Sequence, residues 1–182
     1  MIRLLTATLI ALVMMGALAV PVQADAVSVS GTLTGTTTLT ATANPAVFDS
    51  NFTGSGIDSV SGAFTTTNAG TITFTSLTMF TSSGSFVDVF PLGTLFGTFS
   101  GSGTLTGGGT ETTVLDLITG GTGIFTGDAG EVTVTGTGTA GSFTGSYTGS
   151  ITTPEPGSLA LLLAGIGFLL VMRKRTAPGL RI

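Results

Sequence analysis

Between residues 25 and 153 the character of the side chains alternates residue by residue. Phe143, Gly145, Tyr147, Gly149 and Ile151 share one parity, while Thr144, Ser146, Thr148, Ser150 and Thr152 share the other. The same pattern sets Phe99-Gly101-Gly103-Leu105 against Ser100-Ser102-Thr104-Thr106, and Val132-Val134-Gly136-Gly138 against Thr133-Thr135-Thr137. Val29-Gly31-Leu33 against Ser28-Ser30-Thr32 is a further case. A period of two sends alternate side chains to opposite faces of a β-strand, whereas a helix would scatter both sets around its axis. The region is therefore restricted to sheet, with Gly and apolar residues inward and hydroxyls outward.

Thr suits the outward face because its branched Cβ fits the pleat while its hydroxyl stays hydrated. Inward Gly weakens a strand unless the chain must bend or pack closely, so its recurrence predicts tight curvature. Turns are expected at Gly54-Ser55-Gly56, Asn68-Ala69-Gly70, Ser82-Ser83-Gly84, Gly107-Gly108-Gly109 and Gly127-Asp128-Ala129-Gly130. In Thr71 to Met79 the apolar residues change parity after Phe74, which predicts a bulge near Thr75 and Ser76. Regular strands with turn signals predict an all-β fold, an antiparallel β-barrel of about eight strands, with a β-sandwich as the alternative. Apolar residues including Leu33, Phe64, Phe96, Leu115, Leu117 and Phe125 supply material for a core, which separates this region from a Gly/Ser/Thr-rich linker.

Eight carboxylates lie in this region and no Lys or Arg. Nucleic acid is disfavoured as a partner, because affinity for phosphates comes chiefly from basic side chains that release counterions. The chain has no His and no Cys, which removes Ser-His-Asp and Cys-His catalysis, His/Cys zinc sites and disulfides together. Carboxylates remain the acid and base groups available, and their spacing identifies no catalytic pair. No catalytic residue, cofactor or resident metal is therefore predicted. Asp128 and Glu131, which flank Gly130, are weak candidates for Ca²⁺ ligands, set against the simpler expectation of solvated turn carboxylates.

The ends of the chain carry an address. Residues 1–24 place Arg3 before an apolar run from Leu4 to Val20 and end in Pro21-Val22-Gln23-Ala24, the pattern of a secretory signal helix with Ala24 as the cleavage edge. Pro154-Glu155-Pro156 precedes an apolar stretch at 157–172 with the length of a short transmembrane helix, followed by Arg173, Lys174 and Arg175. The basic cluster would stay cytoplasmic with the tail at 176–182, leaving residues 25–153 on the far side of the membrane. This Pro-Glu-Pro, helix and basic-cluster arrangement at 154–175 resembles the PEP-CTERM sorting domain of Gram-negative bacteria. The resemblance implies membrane anchoring through the helix, recognition and processing by an exosortase, and delivery to the cell surface, outer envelope or exopolysaccharide matrix, a setting associated with biofilm. Thr153 stands where Val is frequent in that family.

A second, local resemblance lies within residues 118–130, where Gly120, Gly121, Thr122, Gly123, Phe125, Gly127 and Gly130 follow the Gly-Gly-Thr-Gly-x-Phe-x-Gly-x-x-Gly turn of allene oxide cyclase and dirigent-type barrels. It implies an eight-stranded antiparallel barrel and carries no activity with it. The combined expectation is a secreted, exosortase-sorted surface or matrix protein with a structural or adhesive role, in contact with extracellular polysaccharide. A small-ligand-binding barrel is the alternative, and a carboxylate-dependent enzyme a more distant one. A filled barrel would favour the first reading, a deep dry pocket the second, and an unpaired carboxylate inside a cavity the third.

Overall fold

The computed structural model describes residues 25–139 and 141–153, together with Gly167. The expected signal helix and its Ala24 edge, the Pro154 to Pro156 motif, the transmembrane helix apart from Gly167, and the basic cluster lie outside the described residues.

Eight antiparallel strands follow one another in chain order: β1 (Asp25–Ala41), β2 (Val47–Asp58), β3 (Gly62–Phe74), β4 (Met79–Phe90), β5 (Gly93–Thr106), β6 (Gly109–Gly121), β7 (Ala129–Thr139) and β8 (Ser142–Thr153). Each pairs with the next, and β8 returns to pair with β1 from Asp25↔Thr153 to Thr36↔Ser142, closing the barrel. Closure leaves no free sheet edge among the described residues, which replaces the sandwich alternative. The turns after β1, β3, β5 and β7 form one rim. The opposite rim carries the turns after β2, β4 and β6, along with residues 25 and 153.

Inward glycines have a specific use here, which is to let aromatic rings lie against the wall. Gly35 and Gly54 are register partners and both lie beneath the Phe52 ring. Gly70 and Gly84 pair beneath Phe99, and Gly136 and Gly145 beneath Phe143. Three of the expected turns are corrected by this arrangement: Gly54-Ser55-Gly56, Asn68-Ala69-Gly70 and Ser82-Ser83-Gly84 all lie within strands. Gly in these triplets makes room for a neighbouring ring rather than breaking the chain. The turns at Gly107-Gly108 and at Gly127-Asp128 do join strands.

The parity change after Phe74 is a turn, not a bulge. Residues 75–78 reverse the chain between β3 and β4, and the Ser76 hydroxyl oxygen accepts from the Thr78 and Met79 amides at 3.3 and 3.0 Å. The irregularity in the ladder lies elsewhere, between β5 and β6, where Phe96 pairs with Gly120 and Gly97 with Ile118. The extra residue, Thr119, reverses the facing of the residues after it, as a bulge does. Not every apolar residue of β5 and β6 is in the core: Phe96, Leu115 and Leu117 face outward on the barrel's exterior.

Candidate functional site

The segment Gly120 to Gly130 builds the closed end of the barrel. Gly120 carries the outward Phe96 ring over its Cα, and Gly121 leaves room for Phe125 to pack against the end of β6. The Thr122 hydroxyl lies 2.7 Å from that of Thr94 and accepts from the Thr94 amide at 3.1 Å, tying the loop back to β5. Gly123 has a φ of +64°, a conformation that L side chains rarely adopt, and a Cβ there would collide with the Leu92 carbonyl. It opens a single 3₁₀ turn, Gly123–Phe125, which turns Phe125 inward to 6% exposure against Phe90, with ring centroids 5.0 Å apart. Phe64 stacks on the other side of Phe90 at 5.1 Å. These rings seal the rim that carries residues 25 and 153.

Asp128 follows this turn, and its side chain is only 3% exposed, with Oδ1 lacking a hydrogen-bond partner. Loss of solvent raises its pKa, partly offset by the Thr153 hydroxyl. Glu131, its expected companion in Ca²⁺ ligation, is exposed on the outward face of β7. Among the described residues, no group of three or more acidic side chains could hold a metal ion.

Above the sealed end, a polar layer crosses the interior. Asp58 comes from β2, Asp88 from β4, Asp116 from β6 and Tyr147 from β8, so each even-numbered strand contributes one inward polar group. The Tyr147 hydroxyl donates to Asp58 Oδ2 at 2.9 Å, and Asp58 Oδ1 accepts from the Val60 and Ser61 amides at 2.9 and 2.7 Å. Asp58 is thus fully engaged at 7% exposure. Asp88 and Asp116 differ, because the domain supplies no cation to pair with them. Burial pushes Asp88 up to about 6, with the Thr66 hydroxyl pulling the other way and the charge of Asp58 adding to the rise. Burial pushes Asp116 up to about 7, with the charge of Asp88 adding to it. Asp116 Oδ1 is buried and has no hydrogen-bond partner.

From this layer to the opposite rim the interior is open. A cavity of about 510 Å³ is walled by Leu33, Phe52, Ile72, Phe80, Phe99, Val114 and Phe143, among others, and its mouth is ringed by residues of the turn-bearing ends of β1, β5, β6, β7 and β8. The rings that lie over glycine leave the centre of the barrel open. Beneath the cavity is a smaller chamber of about 50 Å³ that contains Asp58, Asp88 and Tyr147. Leu33, Asn68, Asp116 and Val134 line both spaces, which puts Asp116 at their junction.

Sequence reasoning placed Gly120 to Gly130 in a barrel turn but left Asp58, Asp88 and Asp116 unassigned. A signal for them was present. Each falls on the inward parity of its strand, as in Phe86-Asp88-Phe90 and Val114-Asp116-Ile118, and with Tyr147 they recur at intervals of 30, 28 and 31 residues. That interval is one hairpin, so each residue returns to nearly the same height. Comparison of the chain with protein-family models, curated proteins and solved structures finds no match.

Proposed function

We propose that this protein is an exported barrel that binds a small, largely apolar molecule in its interior. The apolar cavity of about 510 Å³, closed at one end and floored by carboxylates, carries the reading. Its size falls in the range of about 300–1,000 Å³ occupied by small-molecule sites, and its apolar walls with a few convergent polar groups match their composition. A structural or adhesive role would need no such space, and filling it with side chains would stabilise the fold. The unpaired Asp116 oxygen at the edge of the cavity is also the feature expected of a carboxylate-dependent enzyme, which stands as the second reading. Export is supported by the signal-like residues 1–24. Surface delivery by an exosortase, through the tail at 154–175, is supported by the resemblance of that tail to PEP-CTERM sorting domains.

The test is a titration of the purified full-length protein with N-phenyl-1-naphthylamine, a neutral apolar fluorophore. The Ser82→Trp variant places an indole in the cavity and serves as background for uptake by apolar segments outside the barrel. Saturable, one-to-one fluorescence enhancement that Ser82→Trp abolishes, with the circular dichroism of the sheet intact, is the expected result. Equal signals from the two proteins would refute ligand binding in the barrel.

A further inference from the structure

The cavity's polar end has a charge problem that restricts what can occupy it. Three carboxylates, Asp58, Asp88 and Asp116, project into the barrel, and no Lys or Arg exists anywhere between residues 25 and 153 to neutralise them. Asp58 is satisfied by Tyr147 and two backbone amides. Asp116, at the junction of the two spaces, presents a buried oxygen without a partner. The chamber of about 50 Å³ next to it exceeds the roughly 10–15 Å³ that one water molecule needs on the same measure, so it accepts a head group as compact as an ammonium.

Building on the ligand-binding reading above, we infer that the cavity takes a cationic amphiphile, with an alkyl or similarly apolar body in the upper cavity and a protonated amine seated between Asp116 and Asp88. An ammonium brings three donors and no acceptor, which suits a floor made of acceptors. Asp116 Oδ1, Asp88 and the remaining lone pair of Asn68 Oδ1, which already accepts from the Thr66 hydroxyl at 3.1 Å, are the acceptors available to it. A hydroxyl head satisfies one acceptor and leaves the charges as they are. A carboxylate or phosphate head meets three acids and no donor of positive charge, and like-charge burial opposes it.

Ionisation behaviour agrees with the geometry. Asp88 and Asp116 hold their protons to about 6 and about 7 because burial disfavours the charged forms, with the charge of Asp58 adding to it at Asp88 and that of Asp88 adding to it at Asp116, and a bound cation offsets these causes. Amine binding near pH 7 therefore expels a proton from Asp116. The groups facing Asp116 across the lumen are Asp88, Asp58 and Tyr147. Its ladder neighbours β5 and β7 turn only apolar residues and glycine toward it, among them Phe99, Gly97, Val132 and Val134.

Calorimetric titration of the full-length protein with decylamine, decanol and decanoate at pH 8 tests this class directly. Decylamine is expected to bind about tenfold or more tightly than decanol, and decanoate more weakly than decanol, by the tenfold that about 1.4 kcal/mol of charge complementarity provides. Decylamine affinity should rise about tenfold from pH 6 to pH 8, following Asp116, with proton release visible as a buffer-dependent heat. Asp116→Asn should erase the preference for amine over alcohol while holding decanol affinity within about threefold, and Asp88→Asn should weaken the amine in the same direction. If none of the three compounds binds, the ligand-binding reading itself falls. If decanol or decanoate binds as well as decylamine, the cavity reading stands and the cationic class is overturned; if Asp116→Asn keeps the amine preference, the seating of the amine at Asp116 is overturned.

Discussion

Truncating Phe125 to Ala measures how much of the fold depends on the seal at the closed end. The ring is 6% exposed and packs against Phe90 at 5.0 Å. A buried aromatic removes about 150–250 Å² from water, and at about 25 cal/mol per Å² this corresponds to roughly 4–6 kcal/mol as an upper bound. Aromatic-to-alanine truncations in cores cost about 3–5 kcal/mol, so about 4 kcal/mol is expected here. That is a large share of the roughly 5–15 kcal/mol by which domains are stable. Equilibrium urea unfolding followed by circular dichroism is the assay, and with a slope of about 2 kcal/mol per molar the midpoint should fall by about 2 M. Phe96→Ala is the internal reference, because that ring lies outside the barrel at 40% exposure, over Gly120. It should cost about 1 kcal/mol or less. Equal losses in the two variants would refute the assignment of Phe125 as the seal.

The pH dependence of stability is set in part by Asp116, whose pKa is about 7 in the folded protein against an ordinary value of 3.8. The folded state binds the proton more tightly across that window, so its contribution is full below it and is lost as pH rises to about 7. Asp116→Asn should therefore match the parent near pH 4 and exceed it at pH 8 by about 2 kcal/mol or more, at about 1.4 kcal/mol per pKa unit; urea unfolding at both values checks this, and an equal difference at both refutes it. Gly54→Ala should cost about 1–3 kcal/mol by overpacking, because the new methyl would lie 2.5 Å from the Thr34 carbonyl oxygen and 2.8 Å from Phe52. Gly120→Ala meets only the exposed Phe96 ring, at 2.9 Å, and that ring can swing outward. Its cost should stay below about 1 kcal/mol in thermal unfolding, and a loss equal to that of Gly54→Ala would contradict the packing account.

The barrel was readable in the alternation because the parity of Phe143 to Ile151 and of Val132 to Gly138 is the parity of the folded wall. Strand lengths were not readable, since Gly54-Ser55-Gly56 has the composition of a turn and only the ring of Phe52, on the same strand, shows that it is a wall. Phe96 was misplaced for a different reason. Its outward position was in fact legible, because it lies on the opposite parity from Phe99, Gly101 and Gly103 and β5 alternates without a break from Leu95 to Gly103; its apolar character alone put it in the core. The interior carboxylates stand in the sequence as single polar residues on apolar faces, about thirty residues apart, and only closure of the sheet brings them to one level. What the sequence could not contain is the cavity, because its volume depends on how the rings of eight strands lie against their glycines.

The pairing of Asp25 with Thr153 puts both ends of the barrel's chain at its sealed rim. Anything joined there, whether a natural tether or an engineered fusion, holds the barrel from below. Strands of a dozen residues, tilted as barrels require, set the mouth roughly 30 Å away. Under the proposed function, attachment and loading would therefore occupy opposite faces, and a barrel fixed to a surface by residue 153 would exchange its contents without letting go.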